Sequence, residues 1–145
     1  MEYKHILVAT DFSASGYAVA ARARQLQVAL GAAITILNVV EYSFINLGGD
    51  LALPPQIDIE SQLVENATKK LADLVAAEAF LRCQPIIKVG VPKTEILQLA
   101  DELNVDLIMV GSHGRHGLAR LLGSTANAVM HSAKCDVLAV RAPDT

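Results

Sequence analysis

Apolar positions along this 145-residue chain follow two alternating periods. "HILVAT" (5–10) is a short β-branched run and predicts a first strand. "DFSAS" follows, where Asp11 or Ser13 can cap a helix. Val19, Ala23, Leu26 and Leu30 then recur at helical spacing, and Gly31 stands where a C-terminal capping glycine belongs. "AITILNVV" (33–40) predicts a second strand. Residues 41–56, "EYSFINLGGDLALPPQ", have no period and contain Gly-Gly and Pro-Pro, so a long loop is expected there, beside the ends of the strands and placed to act as a lid. Leu63, Ala67, Leu71 and Leu74 mark a second helix over 57–81. "PIIKVG" (85–90) is a third strand, and Pro92 opens a third helix that buries Ile96, Ala100 and Leu103. "DLIMVG" (106–111) is apolar without alternation, as strands buried on both faces are. A helix over 124–133 and a last strand, "DVLAVR" (136–141), complete the pattern.

The order is β-α-β-α-β-α-β-α-β. Such alternation predicts one α/β domain over residues 1–145, a doubly wound sheet of five parallel strands with helices on both faces. Ligands of such sheets bind beyond the carboxyl ends of the strands, where the winding reverses. The order 3-2-1-4-5 places Asp11 beside Gly111. The order 2-1-3-4-5 places "VGVPK" (89–93) there instead. The hydrophobic pattern leaves both open.

Composition narrows the functional classes. The chain is 52% hydrophobic with three Tyr, three Phe and no Trp, so aliphatic side chains must fill the core. No apolar run is long enough to cross a membrane, and the N-terminus lacks the features of a secretion signal, so a cytoplasmic protein is expected. Cys83 and Cys135 stand apart, without metal-site or redox spacing, and are expected near the core. A net charge of −3 argues against nucleic-acid binding. From Leu107 to Cys135, however, there is no acidic residue, while Arg115, Arg120, Lys134, His113, His116 and His131 fall inside. That window suits a small anion.

Within it lies "GSHGRHGLARLLGS" (111–124). It fits neither the P-loop nor the dinucleotide fingerprint. Its glycines offer positive φ angles and close backbone approach to phosphate oxygens. A helix starting at Gly123-Ser124-Thr125 offers free N–H groups and the positive end of its dipole. The plainer alternative makes Gly111 and Gly114 turn residues and Ser124 an ordinary helix cap.

Together, "HILVATDFS", "ITILNVVE", "ADELNVDLIMVGSHG", "GLARLLGSTANAVM" and "CDVLAV" resemble the universal stress protein family, in order and along nearly the whole chain. The resemblance implies the 3-2-1-4-5 sheet, a Rossmann-like, adenine nucleotide alpha hydrolase-like fold. It further implies ATP in the crevice of nucleotide-binding members, with AMP or ADP as alternatives and Mg2+ beside the phosphates. In that branch two residues separate the first two glycines, nine more follow, and Gly precedes Ser or Thr. Gly111, Gly114 and Gly123-Ser124 match, but eight residues separate Gly114 from Gly123. By the same resemblance Asp11 stands at the adenosine and Val39 offers its backbone to adenine. The full set of implied cofactor contacts is Ala9, Asp11, Val39, Val110, Gly111, Gly114, Arg115, Gly123, Ser124 and Thr125. A homodimer paired through the last strand, Asp136 to Arg141, is also implied.

Catalysis has little support. Phosphoryl transfer needs a metal site and a group that positions the nucleophile. No nucleophile elbow, zinc-ligand spacing or kinase signature is present. The chain therefore reads as an ATP-binding regulatory module of the stress response, with no catalytic or metal-ligating residues assigned and slow ATP hydrolysis left open. The alternative is a protein-interaction module of the same family with an empty crevice. A flavodoxin-like FMN site is disfavoured by the scarcity of aromatic residues.

Overall fold

The computed structural model of the protein describes residues 2–41, 58–112 and 122–143. Five strands and four helices alternate in these stretches: β1 (His5–Ala9), α1 (Ala14–Leu30), β2 (Ala33–Glu41), α2 (Ile59–Glu78), β3 (Cys83–Gly90), α3 (Pro92–Leu103), β4 (Leu107–Gly111), α4 (Ser124–Ser132) and β5 (Asp136–Val140). All pairings are parallel and the order is β3-β2-β1-β4-β5. The doubly wound sheet is as expected, and of the two strand orders the hydrophobic pattern left open, this is the one in which β1 and β4 are neighbours.

Each face of the sheet carries its own core. Ile6, Val8, Ile34, Ile36 and Met109 pack under α1 and α2 with Val19, Ala23, Leu71 and Leu74. Leu7, Leu37, Ile108 and Val110 pack under α3 and α4 with Ile96, Leu99, Ala126 and Val129. Neighbouring residues of β1 thus serve opposite faces, which is why its sequence shows no alternation. Each large aliphatic side chain buried this way contributes about 1.5–3 kcal/mol.

Several boundaries differ from expectation, each for a local reason. Glu41 ends β2 rather than beginning a loop, while the rest of the 41–56 loop lies outside the described residues. β3 begins at Cys83 and so contains Pro85. An edge strand tolerates that residue, because its outer side needs no N–H donor. In α1 the buried stripe ends on Gln27 and not on Leu30, which is 47% exposed. The Gln27 side chain donates to the carbonyls of Ala32 and Arg82 and accepts the Leu81 N–H at 3.0 Å. One buried amide thereby ties the end of α1 to the start of β2 and to the α2–β3 turn. Gly31 caps α1 with φ 69°, as its position predicts.

Candidate functional site

The site is built from the turns that leave β1 and β4. At β1, the Thr10 N–H continues the ladder to the Leu37 carbonyl at 2.9 Å. The Thr10 carbonyl accepts the side-chain amide of Asn38 at 2.8 Å. Asn38 is buried, so this bond both satisfies the amide and fixes where the chain leaves the sheet. The next three residues form an Asx-turn. The Asp11 carboxylate accepts the Ser13 N–H at 3.0 Å and the Ser13 hydroxyl through the same oxygen. Ser13 then caps α1, its hydroxyl oxygen accepting the Gly16 N–H at 3.2 Å. Of the two candidate caps, Ser13 is the cap and Asp11 holds it in place.

Between them Phe12 stands at φ 63°, a left-handed conformation that costs a non-glycine residue on the order of 1–3 kcal/mol. Its ring packs on the core beneath α1 and α2. Tyr17 lies beside it at 6.5 Å between centroids, and the Lys70 ammonium sits 5.7 Å above it. Gly16 is required by crowding. A Cβ there would meet the Thr10 hydroxyl oxygen at 2.6 Å and an Asp11 carboxylate oxygen at 2.9 Å.

At β4, Gly111 is a packing glycine too. A Cβ on it would lie 2.9 Å from the Ser15 Cβ, so the start of α1 presses directly on the end of β4. Among the described glycines only Gly31 and Gly90 have positive φ, and Gly123 has φ −62°. The expectation that the loop's glycines serve for left-handed backbone is therefore corrected for Gly111 and Gly123. Ser112 follows, buried, its N–H donating to the Val140 carbonyl at 2.8 Å. Its own carbonyl accepts the Gly123 N–H at 2.6 Å. The two ends of the glycine-rich loop are thus joined. Gly123 cannot offer that N–H to a ligand, which is a second correction. The first in-helix bond of α4 is Asn127 N–H to the Gly123 carbonyl at 2.9 Å. The N–H groups of Ser124, Thr125 and Ala126 have no helical carbonyl to bond, and Gly123 supplies no capping side chain.

The predicted residues fall into three groups. Ala9 and Val110 are paired partners on β1 and β4, Gly111 ends β4, Asp11 lies two residues past the end of β1, and Ser124 and Thr125 open α4, next to the Gly123 that bonds to Ser112. Val39 lies one strand over, half-buried and in register with Lys88. Gly114 and Arg115, with His113, His116 and Arg120, lie outside the described residues. Two members of the expected positive window belong elsewhere. His131 is in the last turn of α4, and Lys134 follows that helix and pairs with Asp101 at 3.4 Å. Parallel topology carries α4 back to the far end of the sheet, so neither supports charge at the crevice.

Away from the crevice the titratable groups serve structure. Burial pushes the Cys83 thiol up to about 11 and also raises Cys135, so neither is a poised nucleophile. Both are half-buried, as small near-core residues are. Among the described residues no three His, Cys, Asp or Glu side chains gather as a metal set, and no helix is long and apolar enough to cross a membrane.

Asn38, Gly16, Phe12 and Lys70 were not singled out from sequence. Asn38 had a signal: a lone amide within the largely apolar run of β2. Lys70 had none, because its neighbour is far away in the chain.

β1 and β4 are neighbours in this doubly wound α/β sheet, so the chain leaves both strands at the same end. The universal stress protein family model matches residues 2–141, and the chain belongs to that family. It is 40% identical over 140 residues to universal stress protein A homolog 1 of Coxiella burnetii, with 97% of each chain covered. Universal stress protein MJ0577 of Methanocaldococcus jannaschii is similar in structure, with TM-score 0.84 and 27% identity over 100% of both chains. A universal stress protein solved in complex with cAMP aligns with TM-score 0.68 and 27% identity, covering 99% of this chain and 100% of the other.

Proposed function

We propose that this chain, as a single domain over residues 1–145, is an adenine-nucleotide-binding regulatory module of the cytoplasmic stress response that acts as a homodimer. The observation that carries the reading is that β1 and β4 end side by side, with the Ser112–Gly123 bond bringing the start of α4 to the end of β4. With α4 held there, the N–H groups of Ser124 and Thr125, which have no helical carbonyl to bond, would be offered to a phosphate beside Gly111. The cAMP complex of a family member supports an adenine ligand. ATP is the preferred ligand, with Mg2+ on its phosphates and ADP or AMP as lesser alternatives. Asp11 and Val39 would meet the adenosine, Ala9 and Val110 would floor the crevice, and Gly114 and Arg115 would close on the phosphates.

The dimer reading rests on the two sheet edges. β3 is protected by Pro85 and Lys88, but β5, "DVLAV", has neither, and Leu138 on it is exposed. An open apolar edge of this kind suits pairing with its twin.

A protein-interaction module with an empty crevice is the second reading. It is favoured by the eight-residue spacing between Gly114 and Gly123. Native mass spectrometry of freshly purified protein separates the two. A dimer carrying an adenine nucleotide supports the first reading. A nucleotide-free protein that takes up no added ATP supports the second.

A further inference from the structure

The β1–α1 turn holds a contradiction between residue and conformation. An Asx-turn with positive φ at the residue after the Asp is a position for glycine, yet Phe12 occupies it at φ 63°. Something outside the backbone must hold it there. The ring of Phe12 packs against the core beneath α1 and α2. Tyr17 from α1 flanks it at 6.5 Å, and Lys70 from α2 covers it at 5.7 Å. The same turn sets the direction of the Asp11 carboxylate, which lies against the first turn of α1 near Gly16.

We infer that Phe12 is a positioning residue for Asp11: its ring, clamped between α1, Lys70 and the core, holds the turn in a left-handed conformation that fixes the direction of the Asp11 carboxylate against the first turn of α1. Phe12 touches no ligand in this account. It acts through Asp11, so the inference rests on the proposed role of Asp11 at the adenosine. It also assigns Lys70 a place in the site, as the cation that links α2 to the turn.

Two substitutions separate ring from backbone. Phe12→Ala removes the ring and keeps a Cβ that disfavours positive φ. Phe12→Gly removes both the ring and the steric cost. The turn should therefore be held in the order parent, then Phe12→Gly, then Phe12→Ala. The first measurement is hydrogen exchange of the Ser13 amide without ligand. Protection should fall about tenfold in Phe12→Ala and less in Phe12→Gly, with Val19 to Gln27 unchanged. The second is calorimetric ATP affinity in a cycle with Asp11→Asn. Phe12→Ala should weaken ATP about tenfold in the parent and have no further effect once Asp11 is replaced, while affinity for inorganic tripolyphosphate stays the same. Unchanged Ser13 protection in Phe12→Ala overturns the inference, as do additive effects in the cycle. Absence of ATP binding by the parent refutes the nucleotide reading instead, and the exchange order still decides whether Phe12 positions the turn.

Discussion

The Ser112 carbonyl accepts the Gly123 N–H at 2.6 Å, and this bond brings the residue after β4 against the residue before α4, at the strand that neighbours β1. It joins the strand that carries the first glycine of the motif to the helix that carries the last.

Gly123→Pro tests the junction. Gly123 already has φ −62°, which proline requires, but the ring carbon takes the place of the amide hydrogen and pushes the Ser112 carbonyl away, so the substitution removes the donor and forces the two ends apart. The buried Ser112 carbonyl then loses a partner, at a cost of about 1–3 kcal/mol. The expected outcome is a lower chemical-denaturation midpoint with an unchanged slope, together with weaker ATP binding. Full ATP affinity in Gly123→Pro would show that the ends need not be joined.

The dimer prediction uses the direction of the strand's hydrogen bonds. Val140 faces β4, since its carbonyl accepts the Ser112 N–H. Alternate residues of a strand point their backbone groups to opposite sides, so Val137 and Ala139 face the open edge. Ala139→Pro removes an outward donor and leaves the β4–β5 ladder intact. Sedimentation should show a dimer for the parent and a monomer for the variant at the same concentration. A monomeric parent would end the dimer reading.

Much of this architecture was legible in the sequence because it depends on local patterns. The β-branched runs of β1 and β4, the capping glycine at Gly31 and the proline opening α3 each act within a few residues. Less was legible where distant segments meet. Gly111 looked like a phosphate-loop glycine, but Ser15 of α1 requires it, and no spacing in the sequence announces that contact. Lys134 looked like part of a positive window, but parallel topology moves it to the other end of the sheet, against Asp101. Gln27 replaced Leu30 in the buried stripe because three partners from later in the chain satisfy its amide.

Acid sensitivity should trace in part to Asp106. Its carboxylate accepts the N–H groups of Lys4 at 2.8 Å and His5 at 2.9 Å, joining the start of β1 to the start of β4. The backbone bonds from His5 and Lys4 hold its carboxyl below the ordinary 3.8. A folded value below the unfolded one means stability present above pH 3.8 and lost as pH falls through the lower folded value. Asp106→Asn should therefore be less stable than the parent at neutral pH, with the gap closing below pH 3.8. Asp58, whose carboxyl is also lowered, by its bonds to Ser61, is common to both proteins. A gap that persists undiminished in acid would show that the carboxylate's charge is not what matters.

The most direct test of the central claim is calorimetric titration of ATP with magnesium into the parent, Gly114→Val and a variant with one Leu inserted after Leu122. The eight-residue spacing between Gly114 and Gly123 shortens the arc, relative to nine, by about 3.5 Å if extended or about 1.5 Å if helical. The account predicts measurable binding by the parent, none by Gly114→Val, and tighter binding by the insertion variant. No binding of ATP, ADP or AMP at millimolar ligand, with none restored by the insertion, would contradict it.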